Sequence, residues 1–273
     1  MRKYLIGVLA LGLVGAVAFS GIASGDVTKL TITSPVTPSK QDKKKRGPVT
    51  TTFTSEDTHE GITVPPGGPG CTPPATVTAA CKYFPPSTKS VITFPRDFKF
   101  DPGTLPDCNL ASLTGKTTAG AKAACPRSIV GQGNNVNHTL TEAGFMGSPG
   151  TLNGTVTAFN GAPSGGNPTL YLHVDIAGST TKPILTGVIS GNVLTVNVPV
   201  TPGVVIEHFD TTINKTVTAK KKNKKTGKVT KKFYLSARCS TGTWTTTETN
   251  TYQNGTTRTA TTSQKCTKKK KKK

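Results

Sequence analysis

The feature that most constrains the fold is a strict alternation of apolar and polar residues in short runs. In Leu170–Ile176 the even positions are apolar and the odd positions are polar, and Leu194, Val196 and Val198 repeat the pattern. A period of two is typical of a β-strand with one buried face and one solvated face. Ile184–Ile189 is a more continuous apolar run, which suggests a central strand. Further strands are predicted over residues 90–94, 128–139, 151–159, 204–213, 214–219, 229–238, 243–252 and 256–264.

Composition supports an all-β fold, because threonine, glycine, proline and asparagine are abundant, while leucine, glutamate and methionine are scarce. Short strands separated by turn residues predict an antiparallel β-sandwich. Gly191-Asn192 and Asn254-Gly255 are the predicted hairpin turns, since both residues of the second pair tolerate a positive φ. One short helix is predicted over 107–122, with Asp107 as its N-cap and an alanine-rich second half.

The first residues have the three-part pattern of a secretory signal peptide. Met1–Lys3 is basic, Tyr4–Phe19 is apolar, and small residues then offer cleavage after Ser20 or Ala23. The apolar run is shorter than the roughly 20 residues that a membrane-spanning helix needs. We therefore expect a signal peptide over 1–23, no transmembrane helix in the mature chain, and a protein that is secreted or held at the cell surface.

The formal net charge of +21 is concentrated in three short runs, Lys40–Arg46, Lys220–Lys232 and Lys268–Lys273. Blocks of like charge repel one another and stay solvated, so these runs are interpreted as appendages on a nearly neutral domain. Residues 24–69, with Ser-Pro and Thr-Pro steps and a glycine-proline stretch, predict a disordered basic linker. The β-domain is then expected over 70–267, followed by the lysine tail.

Six cysteines in an exported chain favour disulfides over free thiols. Among the possible pairings, Cys71–Cys81, Cys108–Cys125 and Cys239–Cys266 fit the order of the predicted elements best. A two-residue turn at 254–255 would set Thr243 opposite Cys266, so the last pair requires the chain after Cys239 to fold back. The alternative, a zinc site, lacks the close CxxC spacing that such sites use.

Several blocks of the chain resemble a known group of proteins. The blocks are Phe94-Pro95-x-x-Phe98-x-Phe100-Asp101-Pro102, Leu105-Pro106-x-Cys108, Cys125-Pro126-x-Ser128-x-Val130-Gly131-x-Gly133, and a C-terminal set of Cys239, Trp244, Tyr252, Cys266 and the lysine tail. Together they resemble a recurrent group of secreted proteins of high-GC Gram-positive bacteria (actinobacteria). The resemblance covers residues 90–273 and implies a secreted, disulfide-bearing β-domain. It implies no activity and no site residues.

Two His-x-Asp steps are the closest approach to a catalytic or metal-binding motif. His173 and Asp175 lie two residues apart on one predicted strand, and His208 and Asp210 do so on another. Residues i and i+2 of a strand point to the same side, so each step offers an imidazole and a carboxylate together. Four such ligands on neighbouring strands would suit a metal-dependent hydrolase. The competing interpretation is two solvated strand faces that carry histidine.

Trp244 and Tyr252 share one face of a predicted strand with Glu248. Exposed aromatic rings could stack on a sugar, which would make the chain a carbohydrate-binding module. Because aromatic residues are only 6% of the chain, a place in the core is the favoured interpretation.

The sequence contains no GxSxG, HExxH, P-loop or CxxC motif, and Gly131-Gln132-Gly133 is interpreted as a turn or bulge. The lysine runs have no interleaved aromatic residues, which disfavours specific nucleic-acid binding. We therefore expect a non-enzymatic β-sandwich protein without a cofactor or metal, whose lysine-rich segments associate with anionic cell-wall polymers or polysaccharide. The carbohydrate-binding module and the metal-dependent hydrolase remain as alternatives.

Overall fold

The computed structural model describes most of the chain from residue 27 onward. The described ranges are 27–59, 62–64, 81–83, 85–141, 145–201, 204–222 and 229–268. The strands are β1 (Val27–Thr33), β2 (Val36–Thr37), β3 (Lys40–Gln41), β4 (Gly47–Pro48), β5 (Thr50–His59), β6 (Ile62–Val64), β7 (Cys81–Tyr83), β8 (Ser87–Thr93), β9 (Phe98–Phe100), β10 (Ile129–Thr141), β11 (Phe145–Ser164), β12 (Asn167–Ile176), β13 (Ile184–Ser190), β14 (Val193–Asn197), β15 (Val204–Ile213), β16 (Thr216–Lys222), β17 (Val229–Phe233), β18 (Leu235–Ala237), β19 (Thr243–Tyr252), β20 (Thr257–Lys265) and β21 (Thr267–Lys268).

Among the described residues, helical structure is confined to the connection between β9 and β10. It consists of two 3-10 turns, Pro102–Thr104 and Leu110–Ser112, and one α-helix, α1 (Thr118–Ala124). Within the described ranges, no helix is long and apolar enough to cross a membrane.

In the described part of the chain, one antiparallel sheet of 14 strands forms the body of the structure. Its main path runs β1-β5-β15-β10-β11-β12-β13-β14-β8-β19-β20. The two ends of this path approach each other, because β1 lies against β20. The side chain of Gln264 in β20 also donates to the carbonyl of Val36 in β2 at 3.0 Å and accepts from its N–H at 2.7 Å. The sheet therefore nearly closes on itself. The predicted all-β antiparallel fold with one short helix is confirmed, and its facing layers belong to one continuous sheet.

Glycines in β10 allow the backbone of β15 to approach closely. A Cβ atom on Gly133 would lie 1.9 Å from the carbonyl oxygen of Asp210, and one on Gly131 would lie 2.3 Å from that of Thr212. Only a residue without a side chain permits such an approach of two backbones. The glycine pair thus has a structural role in strand packing.

The inward faces of the strands form one main hydrophobic core. It combines aliphatic residues of β12, β13 and β14 with an aromatic cluster in which the rings of Phe94 and Phe98 stack at 6.2 Å and Phe98 meets Trp244 edge-to-face at 5.7 Å. Full burial of each large apolar side chain contributes roughly 1.5–3 kcal/mol. The strand alternation seen in the sequence is thereby explained for β12, where Leu170, Leu172 and Val174 point inward.

A second, smaller core covers the outer face of β11 and β12. It contains Leu113 and Ala121 from the helical connection, packed against Phe159 and Tyr171 of the sheet. The disulfide Cys108–Cys125 closes this connection into a loop. Both faces of β12 are therefore buried, which the alternation of apolar and polar residues alone does not show.

The helix predicted over 107–122 is wrong in extent and in its cap. The α-helix covers only Thr118–Ala124, and the side chain of Thr117, not Asp107, caps it. The reason is Gly115, whose φ of +68° lies in the left-handed region and interrupts helical backbone between the 3-10 turn Leu110–Ser112 and α1. The predicted helix was too long at its N-terminal end, because the prediction relied on alanine content and took no account of the break at Gly115.

The linker predicted over 24–69 is wrong for residues 27–59, which supply β1 to β5 and belong to the domain. The physical reason is that β5 presents polar residues to the interior. Thr51, Ser55 and Asp57 all line the space inside the sheet, so the strand carries no apolar alternation. The signal peptide predicted over 1–23 lies outside the described residues.

The disulfides Cys108–Cys125 and Cys239–Cys266 are confirmed, with Cα–Cα distances of 5.7 Å and 5.9 Å. The pair Cys71–Cys81 was also predicted, but Cys71 lies outside the described residues. As expected, the chain after Cys239 folds back: the N–H of Cys266 donates to the carbonyl of Gly242 at 3.0 Å.

The hairpin between β19 and β20 is confirmed, but its register differs from the expected one by one residue. Thr243 lies opposite Lys265 rather than Cys266. The turn is wider than two residues, because Tyr252 and Thr256 share a backbone hydrogen bond of 2.9 Å around Gly255.

Candidate functional site

Two lysine-rich runs from opposite ends of the described chain meet on one surface. Strand β3 pairs in parallel with β21, which places Lys40 beside Thr267 and Gln41 beside Lys268. The N–H of Thr267 also donates to the carbonyl of Ser39 at 3.0 Å. We define the basic patch as the exposed residues Lys40, Lys43, Lys44, Lys45, Arg46, Lys265 and Lys268.

The loop that carries most of the basic patch is held by hydrogen bonds and a disulfide. The N–H groups of Lys44 and Lys45 donate to Oδ1 of Asp42 at 2.7 Å and 2.8 Å. The carbonyl of Asp42 accepts from the N–H of Cys239 at 2.9 Å, and Cys239 is bonded to Cys266 beside β21. The lysines thus extend from an ordered framework.

Asp97 lies beneath this framework and is almost completely buried. Its carboxylate accepts from the N–H and the hydroxyl of Ser240, both at 2.7 Å, and from Nε of Arg238 at 2.9 Å. Burial by itself would raise the pKa of Asp97, but these hydrogen bonds and the Arg238 charge outweigh burial and lower the pKa. The backbone carbonyl of Asp97 accepts from Nε of Arg46 at 3.1 Å, which joins the backbone at this position to the basic patch.

The other lysine-rich segments lie only partly within the described residues. The described parts of the run Lys220–Lys232 lie on β16 and β17, which pair with each other, and residues 223–228 between them lie outside the described residues. The tail 269–273 also lies outside them and follows directly after Lys268 of the basic patch.

The interior of the nearly closed sheet contains a cavity of about 90 Å³. Most of its wall is apolar, but the end formed by β5, β8 and β19 is polar. A second cavity, of about 40 Å³, shares Ser87, Leu185, Val198 and Ile206 with the first. The apolar wall consists of Phe53, Ile92, Phe94, Leu170, Leu172, Leu185, Leu194, Val196, Val198, Ile206, Phe209 and Ile213.

Two buried carboxyl groups lie at the polar end of the cavity. Glu248 accepts from the hydroxyls of Ser55 and Ser90, each at 2.7 Å, and Asp57 accepts from the hydroxyl of Tyr252 at 2.7 Å. These hydrogen bonds join β5 to β8 and β19 through the interior. We define the carboxyl cluster as Ser55, Asp57, Ser90, Glu248, Asn250 and Tyr252.

Burial raises the pKa of both carboxyl groups. The pKa of Glu248 rises to about 7, because burial outweighs the hydrogen bonds from Ser90 and Ser55, and the charge of Asp57 raises it further. The pKa of Asp57 rises to about 6 by burial, against the opposing hydrogen bonds of Tyr252 and Asn250. Among the described residues that line the cavity there is no lysine, arginine or histidine to offset the cost of burying a negatively charged carboxylate.

The first His-x-Asp step is buried in structural interactions. His173 on β12 is covered by the helical connection, and its Nε2 lies 2.8 Å from the carbonyl of Lys116. Asp175 forms an ion pair with Lys182 at 2.5 Å and accepts from Thr118. The hydrogen bond from Lys182 is the main reason that the pKa of Asp175 falls to about 2.

The second His-x-Asp step lies on a different part of the sheet. His208 on β15 contacts Glu56 at 3.1 Å and Asp210 at 3.3 Å, and β10 and β11 separate β15 from β12. The two steps therefore do not form one site. In the part of the chain that the structure covers, no group of three or more His, Cys, Asp or Glu side chains is placed to hold a metal ion.

Trp244 and Tyr252 lie in the interior, as the favoured interpretation predicted. They are 2% and 1% exposed. The indole Nε1 donates to the carbonyl of Arg238 at 2.9 Å, and the tyrosine hydroxyl belongs to the carboxyl cluster. Neither ring lies on the surface, where a sugar could stack on it.

The carboxyl cluster was not predicted from the sequence, although one signal for it exists. Glu248 lies four residues from both Trp244 and Tyr252, so a strand places all three on the same inward face. A carboxyl group between two core aromatics on one face indicates a buried acid.

No protein-family model matches the chain, and neither a curated protein nor a solved structure does so. The basic patch and the carboxyl cluster are thus defined by their geometry.

Proposed function

We propose that the chain is a secreted or cell-surface, non-enzymatic β-domain that associates with anionic envelope polymers through the basic patch. The observation that carries the proposal is the parallel pairing of β3 with β21, which gathers two distant lysine runs on one exposed surface. The two disulfides are compatible with an oxidising extracellular environment.

A polymer is the ligand that suits this surface best. The cations of the basic patch are exposed and follow a loop and a strand end, so they present repeated charges to solvent. A chain of phosphates or carboxylates can contact several of them at once and release its condensed counterions. The lysines of 269–273 continue the same charged segment along the sequence.

The proposal is tested by binding of the purified protein to immobilised polyglycerol phosphate, a teichoic-type polymer, at low ionic strength. Attraction of about 1 kcal/mol for each basic residue near an anionic surface predicts that K43Q/K44Q/K45Q weakens binding by about 10-fold to 100-fold. The matched control is K89Q/K116Q/R127Q, which removes the same charge from exposed positions on other elements. We expect the control to bind within about twofold of wild type.

Equal losses in both triple variants would show that only net charge matters, which would refute the role of the basic patch. Binding of the wild-type protein should also decrease steeply between about 50 and 200 mM salt, since counterion release drives it. Retention that is insensitive to salt, or equal binding to uncharged dextran, would contradict the proposal.

A further inference from the structure

The cavity inside the sheet differs in chemistry from one end to the other. Its wall on β12, β13 and β14 is formed by aliphatic side chains, and its opposite end is the carboxyl cluster. The combination of an apolar wall and a few convergent polar groups is the usual character of a small-molecule site.

Asn250 provides an independent sign that this end of the cavity is made for a ligand. Its side chain is 4% exposed and lines the cavity, and its Oδ1 has no hydrogen-bond partner in the described structure. The hydroxyl of Ser87, which also lines the cavity, lacks a partner as well. A buried acceptor without a donor carries its full desolvation cost, so Oδ1 of Asn250 identifies a position where a donor is missing.

When both carboxyl groups are ionised, the missing donor does not come from the hydroxyls of the cluster. The hydroxyls of Ser55 and Ser90 already donate to Glu248, and the hydroxyl of Tyr252 donates to Asp57. In the ionised cluster, the unused capacity is that of acceptors, on two carboxyl groups and one amide oxygen, and the hydroxyl of Ser87 is a single neutral donor at the same end of the cavity. A group with several N–H donors and a positive charge would complement these acceptors.

We propose that the cavity binds a small primary amine, with its ammonium group at Asp57, Glu248 and Asn250 and its hydrocarbon part against the apolar wall. An ammonium group has three N–H donors, which matches the three acceptors. An apolar cavity of about 150 Å³ holds benzene. A cavity of about 90 Å³ therefore suits a shorter molecule, such as an amine with about four carbon atoms.

Charge makes this binding dependent on pH. The groups that face the ammonium position are Asp57 from β5, Glu248 and Tyr252 from β19, and Glu207 at the β15 side of the cavity, where His138 lies 2.8 Å from it. The amine binds the ionised carboxyl groups, so its affinity should increase as the pH rises and protons leave Asp57 and Glu248.

The test uses the purified, disulfide-bonded protein and n-butylamine, followed by methyl NMR of Leu172, Leu185 and Leu194, which line the cavity. At pH 8 we expect saturable shifts of these methyl groups. The control ligand n-butanol has a similar shape without the charge and should bind at least tenfold more weakly. Equal binding of the two ligands, or no shift at these methyl groups, would overturn the proposal.

A matched pair of variants separates the cluster from the rest of the protein. Glu248→Gln should weaken n-butylamine binding at least tenfold, whereas Asp210→Asn, on the outer face beside His208, should leave it within twofold. Equal affinity of Glu248→Gln and wild type would refute the proposal.

If Glu248→Gln does not fold, the wild-type protein provides the decisive measurement. Its affinity for n-butylamine should be at least tenfold lower at pH 5 than at pH 8, because Asp57 and Glu248 are protonated at pH 5. The amine stays protonated at both pH values, so only the carboxyl groups change their charge. An affinity that does not change with pH would contradict the assignment.

Discussion

Asp97 beneath the basic patch and Glu248 in the carboxyl cluster are nearly equally buried, at 1% and 2% exposed, but their acidities shift in opposite directions. The pKa of Asp97 is lowered and that of Glu248 is raised to about 7. Asp97 accepts from a backbone N–H and from the cationic Arg238, while Glu248 accepts only from neutral hydroxyls. The partners of a buried carboxyl group, together with its desolvation and not its solvent exposure alone, decide which form the fold prefers.

The two sites differ in whether the buried carboxylate has enough hydrogen-bond donors to remain charged. Asp97 has enough donors to stay charged, and it fixes Arg46 and the chain around Ser240 at the edge of the basic patch. No described residue that lines the cavity offers Glu248 or Asp57 a cation, so the folded protein retains protons on them to a higher pH than usual. The hydrogen bonds of Asp97 stabilise the fold, whereas Glu248 and Asp57 keep acceptor oxygens that a ligand could use.

The largest expected effect is the loss of Asp97. Asp97→Ala should lower the free energy of unfolding by about 3–5 kcal/mol, because it removes the acceptor of several charge-assisted hydrogen bonds from a buried position. Urea unfolding at pH 7 measures this. Asp97→Asn keeps the shape and should cost less; a loss below about 1 kcal/mol for Asp97→Ala would show that the anion does not anchor this region.

The next effect in size concerns the disulfide that joins the two parts of the framework. Cys239→Ala/Cys266→Ala should lower the free energy of unfolding by about 3 kcal/mol, as expected for a loop with a separation of 27 residues. The same variant should also weaken binding to polyglycerol phosphate. Cys108→Ala/Cys125→Ala is the matched control, with a similar loss of stability and unchanged polymer binding; equal effects on binding would argue against the framework.

Glu248→Gln should raise the free energy of unfolding at alkaline pH, whereas the two preceding variants lower it. A raised pKa means that the folded state keeps a proton that the unfolded state has lost, so wild-type stability falls as the pH rises from about 4.5 to about 7. The variant removes that cost, and we expect a gain of about 1–3 kcal/mol at pH 8 and little gain at pH 5. Urea unfolding at both values decides, and a loss of stability at pH 8 would contradict the raised pKa.

The smallest effect is expected for the exposed charges. K43Q/K44Q/K45Q should change the free energy of unfolding by less than about 0.5 kcal/mol, because these side chains are exposed on the surface. Thermal unfolding at moderate salt is sufficient. A loss above about 1 kcal/mol would mean that the lysines take part in the fold, and their effect on polymer binding would then need another explanation.

The alternation of Leu170–Ile176 was sufficient to predict the central strands, because their inward residues are apolar and their pattern has a period of two. It failed for β5, whose inward residues include Ser55 and Asp57, since a polar interior leaves no such signal. The pairing of β3 with β21 could not be predicted, because two-residue strands carry no periodicity and their contact depends on closure of the whole sheet.

The carboxyl cluster could also be predicted only in part from local sequence patterns. Glu248 alternates with Trp244 and Tyr252 on one face, which local reasoning can detect. Its partners Ser55 and Ser90 come from distant strands, so the hydrogen bonds that define the cluster exist only in the folded sheet.

The most direct test is a ¹³C NMR titration of the side-chain carboxyl carbons in the purified protein. We predict midpoints at about 7 for Glu248 and about 6 for Asp57, with Asp97 titrating below its ordinary value of 3.8. A midpoint of Glu248 near its ordinary value of 4.5 would contradict the account, because it would mean that water or a cation already satisfies the interior acid.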